Sequence, residues 1–361
     1  MESPEYVQTS LAAAMTLGFV GGRFRRDAKL TGLNLLLTYE DGCVGRCSYC
    51  GLSRGREMAA RDARTFIRVR WPTYGLDEII ARARGVDGQL ERVCVSMITH
   101  PRAFEDMNTV IARLRERLAL PVSALIAPTP LTDPAAMLTE TEAAGADMIG
   151  IAIDAATPEL FERHRRRGVG GVHRWEHYWR TVEAGVGVFG RYKVGVHLIV
   201  GLGETEREMI GTIQRAHDLG AHTHLFSFFP EAGTTVAGVA PPGYGQYRRV
   251  QLARYIINHG RGRAEGMTFN TAGQVVGFGL DTEGMVADGG AFMTSGCPGR
   301  TKRAACNRPF GNERPSRPIR NYPFPPTVED IALIRLQLEE GLDREARVEP
   351  GGARREGSGR V

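Results

Sequence analysis

Residues 33–50 read LNLLLTYEDGCVGRCSYC, an apolar run that leads directly into a loop with three cysteines. The run 33–38 predicts a buried strand, and the polar, glycine-containing stretch 40–42 ends it. Similar runs predict further strands, with weaker signals at the last two positions: residues 92–98, 122–127, 148–153, 194–200, 224–229, 266–270 and 285–291.

Helical patterns occupy the intervals between these strands, at residues 76–83, 104–118, 135–144, 158–165, 175–184, 206–219 and 247–257. Strands that alternate with helices of this length indicate βαβ units and a parallel sheet. Six to eight such units over roughly 250 residues predict an α/β fold, a full or partial (βα) barrel of the TIM type.

The composition is that of a globular protein. The chain has 361 residues, of which 42% are hydrophobic and 24% charged, and this balance excludes wholesale disorder. The chain contains no run of 18 apolar residues, and the apolar patch 11–20 follows two glutamates rather than a basic segment. We therefore expect a cytoplasmic protein without a membrane span.

The net charge of +5 is concentrated near the C-terminus. Residues 296–325 carry a net +6, from one acid, Glu313, and seven basic residues: Arg300, Lys302, Arg303, Arg308, Arg314, Arg317 and Arg320. This segment is either a solvated charged loop or a site for an acidic partner. Nucleic acid is not expected, because no basic stretch is interleaved with stacking aromatic residues.

The three cysteines of the first loop, Cys43, Cys47 and Cys50, have the spacing C-x3-C-x2-C. Three thiolates can hold a cubane iron–sulfur cluster and leave one iron open for chemistry. In a (βα) barrel, a loop that follows a strand lies on the active face. The alternative is a zinc knuckle, which needs a fourth cysteine or histidine nearby; the next histidine is His100.

This motif, with the aromatic Tyr49 just before the last cysteine, resembles the signature of radical S-adenosylmethionine (SAM) enzymes. The resemblance implies a [4Fe-4S] cluster whose open iron chelates SAM. It also implies that an electron from the cluster cleaves SAM to methionine and a 5′-deoxyadenosyl radical. Tyr49 would then pack near the adenine.

Considered alone, residues 200–205 (VGLGET) predict an ordinary strand-to-helix turn, and Asp154 is typical of a turn or helix-capping residue. The same stretch resembles the adenine-contacting motif of biotin synthase-like radical SAM enzymes. That resemblance assigns SAM contacts to Ile199, Gly201 and Glu204, and the ribose hydroxyls to Asp154.

Several other positions are candidates near the cofactor. His197 shares the side-chain parity of Ile199, so we expect it to face the interior and to contact SAM or substrate, or to be an ordinary core histidine. Residues 96–100 lie where the family binds the methionyl amino group but lack its Gly-Gly-Glu, and residues 228–234 (FFPEAGT) resemble the family's sixth strand. Lys193 and Arg174 are candidates for the SAM carboxylate.

The remaining cysteines are Cys94, Cys297 and Cys306. A single strand cysteine such as Cys94 is commonly a small buried hydrophobe. The functional hypothesis is a second, auxiliary iron–sulfur cluster held by all three, with Ser295, Ser316 or Arg308 as a fourth ligand. Biotin synthase-like enzymes have a cluster cysteine at the position of Cys94, but their two others align with Ser123 and Gly195, so the biotin synthase form of the cluster cannot assemble.

Several stretches resemble the two-protein lipoyl synthases of archaea and some bacteria, and especially the second protein of the pair: LAAAMTLG (11–18), NLLLTYEDGC (34–43), CSYCGL (47–52), VGLGET (200–205), CNRPFGNERP (306–315) and NYPFPP (321–326). The resemblance implies sulfur insertion from the auxiliary cluster into an octanoyl chain on a carrier protein. The implied partners are an acidic lipoyl-type carrier, a partner lipoyl synthase, and ferredoxin or flavodoxin as the electron donor.

Two other classes of function remain open. One is a methylthio- or methyltransferase, or a carbon-skeleton radical SAM enzyme, without sulfur insertion. The other is a non-enzymatic iron–sulfur carrier or zinc-stabilised scaffold. The expected organisation is an N-terminal helical extension (1–30), the barrel (31–295), a C-terminal cluster-binding segment (296–342) and a disordered tail (343–361).

Overall fold

The structure, a computed structural model, describes residues 1–56, 65–86, 88–311, 315–343 and 346–350. Its centre is an eight-stranded sheet that contains β1 (Tyr6–Thr9), β2 (Gly32–Leu37), β5 (Thr73–Gly75), β6 (Arg92–Ser96), β7 (Val122–Ile126), β8 (Ala146–Asp154), β9 (Val194–Val200) and β10 (His222–Ser227). The strand order in the sheet is β10-β9-β8-β7-β6-β2-β1-β5.

Six of these strands, from β2 to β10 along the sheet, are parallel, and β1 pairs antiparallel with both β2 and β5. In the described residues β10 and β5 are the two edges, so the barrel is partial. The predicted α/β fold is confirmed. The six predicted barrel strands lie within two residues of their observed positions, because buried parallel strands carry nearly continuous apolar runs.

The helices pack against the sheet or against one another. They are α1 (Leu11–Thr16), α2 (Leu76–Gly85), α3 (Ala103–Arg117), α4 (Pro134–Ala143), α5 (Pro158–Arg165), α6 (Trp175–Phe189), α7 (Glu206–Asp218), α8 (Tyr244–Asn258), α9 (Glu283–Asp288) and α10 (Val328–Glu339). Local caps define several starts: Thr157 accepts the N–H of Leu160 ahead of Pro158, and Thr205 with Glu208 forms a capping box on α7.

Smaller elements complete the fold. A hairpin of β3 (Thr65–Phe66) and β4 (Val69–Arg70) lies between β2 and β5 in the sequence. A separate three-stranded sheet contains β11 (Thr268–Asn270), β12 (Val275–Gly277) and β13 (Val348–Pro350). The strand predicted at 266–270 therefore exists but is not part of the barrel.

The strand predicted at 285–291 is wrong: this stretch forms α9 and a following 3-10 turn. Only two of the six residues of α9, Met285 and Val286, are buried. They are adjacent, and so short a cluster does not distinguish a helix from a strand. Gly289, in a left-handed conformation at φ 74°, ends the helix.

The ends of the chain contain elements that the sequence did not predict. Residues 1–30 contribute the strand β1 as well as the short helix α1. Residues 348–350, within the stretch expected as a disordered tail, pair with β11. The described part of the chain contains no helix with the length and apolar content needed to cross a bilayer.

A buried ion pair joins α7 to α8. The Glu206 carboxylate accepts the Arg249 guanidinium at 2.7 to 3.1 Å and the N–H of Val275 at 2.8 Å. Both side chains are nearly fully buried, and Arg249 also donates to the carbonyls of Leu338 and Glu340 at the C-terminal end of α10. The pair thus fixes the C-terminal helix against the barrel.

We predict that Glu206→Ala lowers the free energy of unfolding by about 3–5 kcal/mol, because it leaves the Arg249 charge buried without its carboxylate. Arg263→Ala, which removes an exposed ion pair with Asp218, is the control and should cost less than about 1 kcal/mol. Anaerobic urea unfolding of both variants measures the difference. Equal losses would contradict the assigned role of the buried pair.

Candidate functional site

The loop after β2 brings Cys43, Cys47 and Cys50 together at the carboxyl end of the strand. Backbone donors already point at two of the sulfurs: the N–H of Gly45 lies 3.3 Å from Cys43 Sγ and that of Leu52 lies 3.4 Å from Cys50 Sγ. Hydrogen bonds of this kind are among the features that tune protein-bound iron–sulfur clusters. The backbone of the loop therefore provides hydrogen-bond donors to two sulfur atoms that could ligate a metal cluster.

Burial raises the pKa of the Cys47 thiol, with Arg165 acting in the opposite direction, and burial raises the pKa of Cys50 well above its usual value. Thiolates in such a site require a strong positive charge beside them, which a bound metal cluster supplies. The described residues contain no group of three metal-binding side chains arranged around one ion. Three thiols that line one cavity, two of them with a backbone N–H donor, fit the ligand set of a cubane, which binds each thiolate at a separate iron.

A cavity of about 270 Å³ lies inside the barrel, next to this loop. Its wall contains Cys43, Cys47 and Cys50 and also two cysteines of the second set, Cys94 and Cys306. The two sets, separated by more than 250 residues at their extremes, therefore face the same space. The cavity is the candidate active site.

A polar network closes one side of the cavity. The Tyr49 hydroxyl donates to Asp154 Oδ2 at 2.5 Å, and Arg165 Nη1 lies 3.2 Å from the same oxygen. Burial raises the pKa of Tyr49 well above its usual value, with Asp154 acting in the same direction, so the phenol stays protonated and donates. Asp154 adopts a left-handed backbone (φ 65°), which directs it into the cavity at the end of β8.

The predicted SAM contacts divide into two groups. His197 and Ile199 lie in the cavity wall, on the same face of β9. Gly201 and Glu204 do not line the cavity: the Glu204 carboxylate accepts the N–H groups of Gly201 and Leu202 at 2.7 and 2.9 Å. Burial raises the pKa of Glu204 to about 7. Here Glu204 shapes the turn after β9.

Of the remaining candidates, Ser96 and Thr99 from the 96–100 stretch and Phe228 from the 228–234 stretch line the cavity. Lys193 is exposed and precedes β9, so it lies at the amino end of the strand, opposite the cysteine loop. Arg174 is exposed at the start of α6 and does not line the cavity. The structure therefore does not support Lys193 or Arg174 as direct SAM ligands.

The sequence did not single out Arg165, His173 or Tyr178, which also line the cavity. Arg165 Nη1 donates to the carbonyls of Ala152 and Ile153 at the end of β8. The hydroxyls of Tyr178 and Thr129 both form hydrogen bonds with His173 Nδ1. Burial, with Arg165 nearby, lowers the pKa of His173 to about 2, and burial lowers that of His197 to about 4. Both imidazoles are neutral at physiological pH.

The second cysteine set is also brought together. Cys94 pairs in register with Asn34 on β2 and Ser123 on β7, and Asn34 Nδ2 donates to Cys306 Sγ at 3.3 Å. A hydrogen bond from Cys306 lowers the pKa of Cys94 to about 7, while burial raises that of Cys297 to about 11. Three cysteines from β6 and the C-terminal segment thus lie side by side.

The C-terminal segment reaches this position by crossing the amino ends of β2 and β6. The Ala305 carbonyl accepts the Thr31 hydroxyl at 2.9 Å, and the Pro298 carbonyl accepts Arg92 Nε at 2.6 Å. A Cβ at Gly32 would lie 2.5 Å from the Ala305 oxygen, so only glycine allows the two backbones to approach so closely.

The three candidate fourth ligands of the second set differ in position. Arg308 lines the cavity, burial lowers its pKa to about 10, and its Nη1 atom is buried with no hydrogen-bond partner among the described residues. Ser316 is exposed, and the Ser295 hydroxyl accepts the N–H of Leu225 at 3.4 Å. Arg308 is therefore the candidate best placed beside the cysteines.

We predict a pH dependence of stability from His173. Its folded-state pKa of about 2 lies below the ordinary 6.5, so the unfolded chain takes up a proton first as the pH falls. The contribution of His173 to the free energy of unfolding is fully present above pH 6.5. At pH 5 this contribution should be smaller by about 2 kcal/mol. Unfolding of wild type and His173→Gln at pH 7 and pH 5 measures it; an equal fall in both proteins would contradict the prediction.

Three comparisons with known proteins bear on this site. The model of the Radical SAM superfamily matches residues 38–216, which include the first three cysteines, Asp154 and the turn after β9. A search of curated protein sequences finds no significant match. A putative phosphonomutase from Burkholderia cenocepacia aligns at a TM-score of 0.32 and 18% identity over 48% of this chain and 71% of that chain, too low a score to support an argument.

The chain is also similar in fold to HydG, a maturase of the [FeFe]-hydrogenase, with a TM-score of 0.50 and 12% identity. The alignment covers 68% of this chain and 53% of that one, so the chain spans about half the length of HydG. The superfamily match implies a [4Fe-4S] cluster and SAM as cofactors, and the cysteine loop fits the cluster. Residues 38–216 of this chain thus match the radical SAM superfamily model, and its fold is similar to that of HydG.

Proposed function

We propose that the protein inserts sulfur into an unactivated C–H bond of an octanoyl chain on a carrier protein, as one of two synthases that together form the lipoyl group. The observation that supports this most is the shared cavity. Cys43, Cys47 and Cys50 line it at the carboxyl ends of the strands, and Cys94 and Cys306 line it deeper in the barrel. A substrate carbon between the two sets would be within reach of both.

The bound groups would supply chemistry that side chains cannot: hydrogen-atom abstraction from an unactivated carbon and a sulfide for the new C–S bond, with electrons from ferredoxin or flavodoxin. The residues of this chain would position the reacting groups and exclude water from them. Tyr49, Asp154 and Arg165 form the polar side that would bind the nucleoside. His173 and His197 are neutral and add no charge next to the reacting carbon.

Cys94, Cys297 and Cys306 would hold the sulfur-donating cluster, with Arg308 as the fourth group. The buried Nη1 atom of Arg308 without a hydrogen-bond partner supports this, because a buried polar atom is rarely left unpaired. The close contact of Cys94 with Cys306 favours the second candidate function, in which these thiols only pack together and the enzyme performs radical chemistry without sulfur insertion.

We predict that the reconstituted wild-type protein holds about eight irons and that Cys297→Ala holds about four, because the second cubane loses a ligand while the first is untouched. Ser316→Ala, at the exposed serine, is the matched control and should keep the wild-type iron content. About four irons in the wild type, unchanged in Cys297→Ala, would exclude a second cubane.

The same proteins separate the two candidate functions. Each is incubated anaerobically with SAM, a reductant and an octanoyl-lysyl carrier peptide, with and without the partner synthase, and the peptide mass is measured. Sulfur gain by the wild type but not by Cys297→Ala, with 5′-deoxyadenosine from both, supports the proposal. 5′-Deoxyadenosine from the wild type without any sulfur gain favours the second candidate.

The carrier would dock where the cavity meets the loops at the carboxyl ends of the strands. Arg46, Arg163 and Arg174 are exposed there, in the cysteine loop, in α5 and at the start of α6. The basic C-terminal segment is placed differently: Lys302 and Arg303 are exposed near Glu91, at the amino end of β6. Arg320 is buried and donates to the Pro242 carbonyl, and Arg314 lies outside the described residues.

For an acidic carrier, we predict that changing Arg46, Arg163 and Arg174 together to glutamine raises KM several-fold at low ionic strength and removes most of its salt dependence. Lys302→Gln with Arg303→Gln is the control at the opposite end of the barrel. A KM that responds to the control pair and not to the three arginines would place the carrier at the amino ends of the strands instead.

A further inference from the structure

We infer that the hairpin of β3 and β4 forms the wall that grips a linear alkyl chain of the substrate, with Ile67 at its tip as the determining contact. The inference rests on the proposed function and adds the part of the cavity that would recognise the chain. The hairpin contributes Phe66 and Ile67 to the cavity wall, and Trp71 follows directly after it.

The hairpin turn is strained in a specific way. Ile67 and Arg68 both have left-handed backbones, at φ 48° and 71°. For a β-branched residue this conformation is a genuine outlier, and glycine or asparagine normally occupies it. Such strain persists only where surrounding contacts impose it, and it is found most often at active sites and ligand clamps.

Contacts from three parts of the chain impose this turn. The buried Glu231 carboxylate, after β10, accepts the Thr65 hydroxyl and the N–H of Arg68, each at 2.5 Å. Arg68 Nη2 donates to the Phe310 carbonyl at 2.6 Å, in the segment that carries Cys306 and Arg308. Trp71 Nε1 donates to the Phe66 carbonyl at 2.7 Å. The tip of the hairpin is therefore held rigidly.

Much of the cavity wall is apolar: besides Phe66, Ile67 and Trp71 it contains Leu36, Leu52, Met97, Ile98, Phe226 and Phe228. Glu231 and Arg308 also line the cavity, beside the hairpin. The polar groups that suit a nucleoside, Tyr49, Asp154 and Arg165, form a separate network through the end of β8. The apolar part of the wall therefore suits a hydrocarbon and not the polar ends of SAM.

An alkyl chain offers no hydrogen bonds by which a protein could position it. Its reacting carbon can be placed only by the shape of rigid apolar walls, through many weak dispersion contacts. A branched side chain on a locked turn provides such a wall, whereas a flexible side chain in a relaxed loop would not. This explains why an isoleucine occupies a position that favours glycine.

The test measures binding. N-octanoyl-lysine amide and N-butanoyl-lysine amide are titrated calorimetrically into the anaerobically reconstituted protein with SAM. Octanoyl should bind more tightly than butanoyl in the wild type, by about fourfold for each methylene that becomes buried. In Ile67→Ala the Kd for octanoyl should rise roughly tenfold, with a smaller change for butanoyl. Val69→Ala, a matched truncation on the same hairpin outside the cavity wall, should bind like the wild type.

Ile67→Gly distinguishes a binding role from a structural one. Glycine relieves the left-handed strain, so its Tm should equal or exceed that of the wild type while its octanoyl affinity falls as in Ile67→Ala. Wild-type affinity in both Ile67 variants would overturn the hairpin assignment and leave the proposed function standing. If the wild type bound neither acyl probe while SAM cleavage was intact, the proposed function would fail and this inference with it.

Discussion

The close contact of the C-terminal segment with the amino ends of β2 and β6 is the constraint on which the site depends. It requires glycine at position 32, where any Cβ would collide with the Ala305 carbonyl, and Thr31 donates to that same carbonyl. Asn307 adds two hydrogen bonds to this contact. Its Oδ1 accepts the N–H of Thr31 at 3.0 Å, and its Nδ2 donates to the Lys29 carbonyl at 2.7 Å. Because Cys297 and Cys306 flank this contact, it sets their place beside Cys94.

The alternation of side chains along the parallel strands then decides what faces the cavity. On β2 and β6, Asn34, Leu36, Cys94 and Ser96 point inward, while their neighbours pack against the helices. The result is a cavity with one group of cysteines at the carboxyl ends, another deeper in the barrel, and an apolar wall between them. The charged groups of the wall lie in the network around Asp154 and at the edge formed by Glu231 and Arg308.

Burial governs the electrostatics of this cavity. It lowers the pKa of His173 to about 2 and that of His197 to about 4, and it keeps the Tyr49 phenol protonated. The ion pair of Asp154 and Arg165 is the charged feature of the polar side. Hydrogen-atom abstraction moves no net charge, so a site for it needs accurate placement and exclusion of water more than it needs fixed charges. The apolar wall and the neutral histidines match that requirement.

The sequence alone predicts the parallel α/β architecture, because apolar runs and helical patterns are local signals, and it predicts the cysteine loop, because ligand spacing is local too. His197 was placed on the interior face by parity with Ile199, and both lie in the wall. The sequence offered both a plain turn and SAM contacts for Gly201 and Glu204 and could not decide between them, nor could it show that Lys193 lies at the opposite end of its strand or that 285–291 forms a helix. Nor could it find His173 and the strained Ile67, or show how the C-terminal segment crosses β2 and β6 to bring Cys297 and Cys306 to Cys94. Those placements arise from contacts between residues far apart in the chain, which only the folded structure can specify.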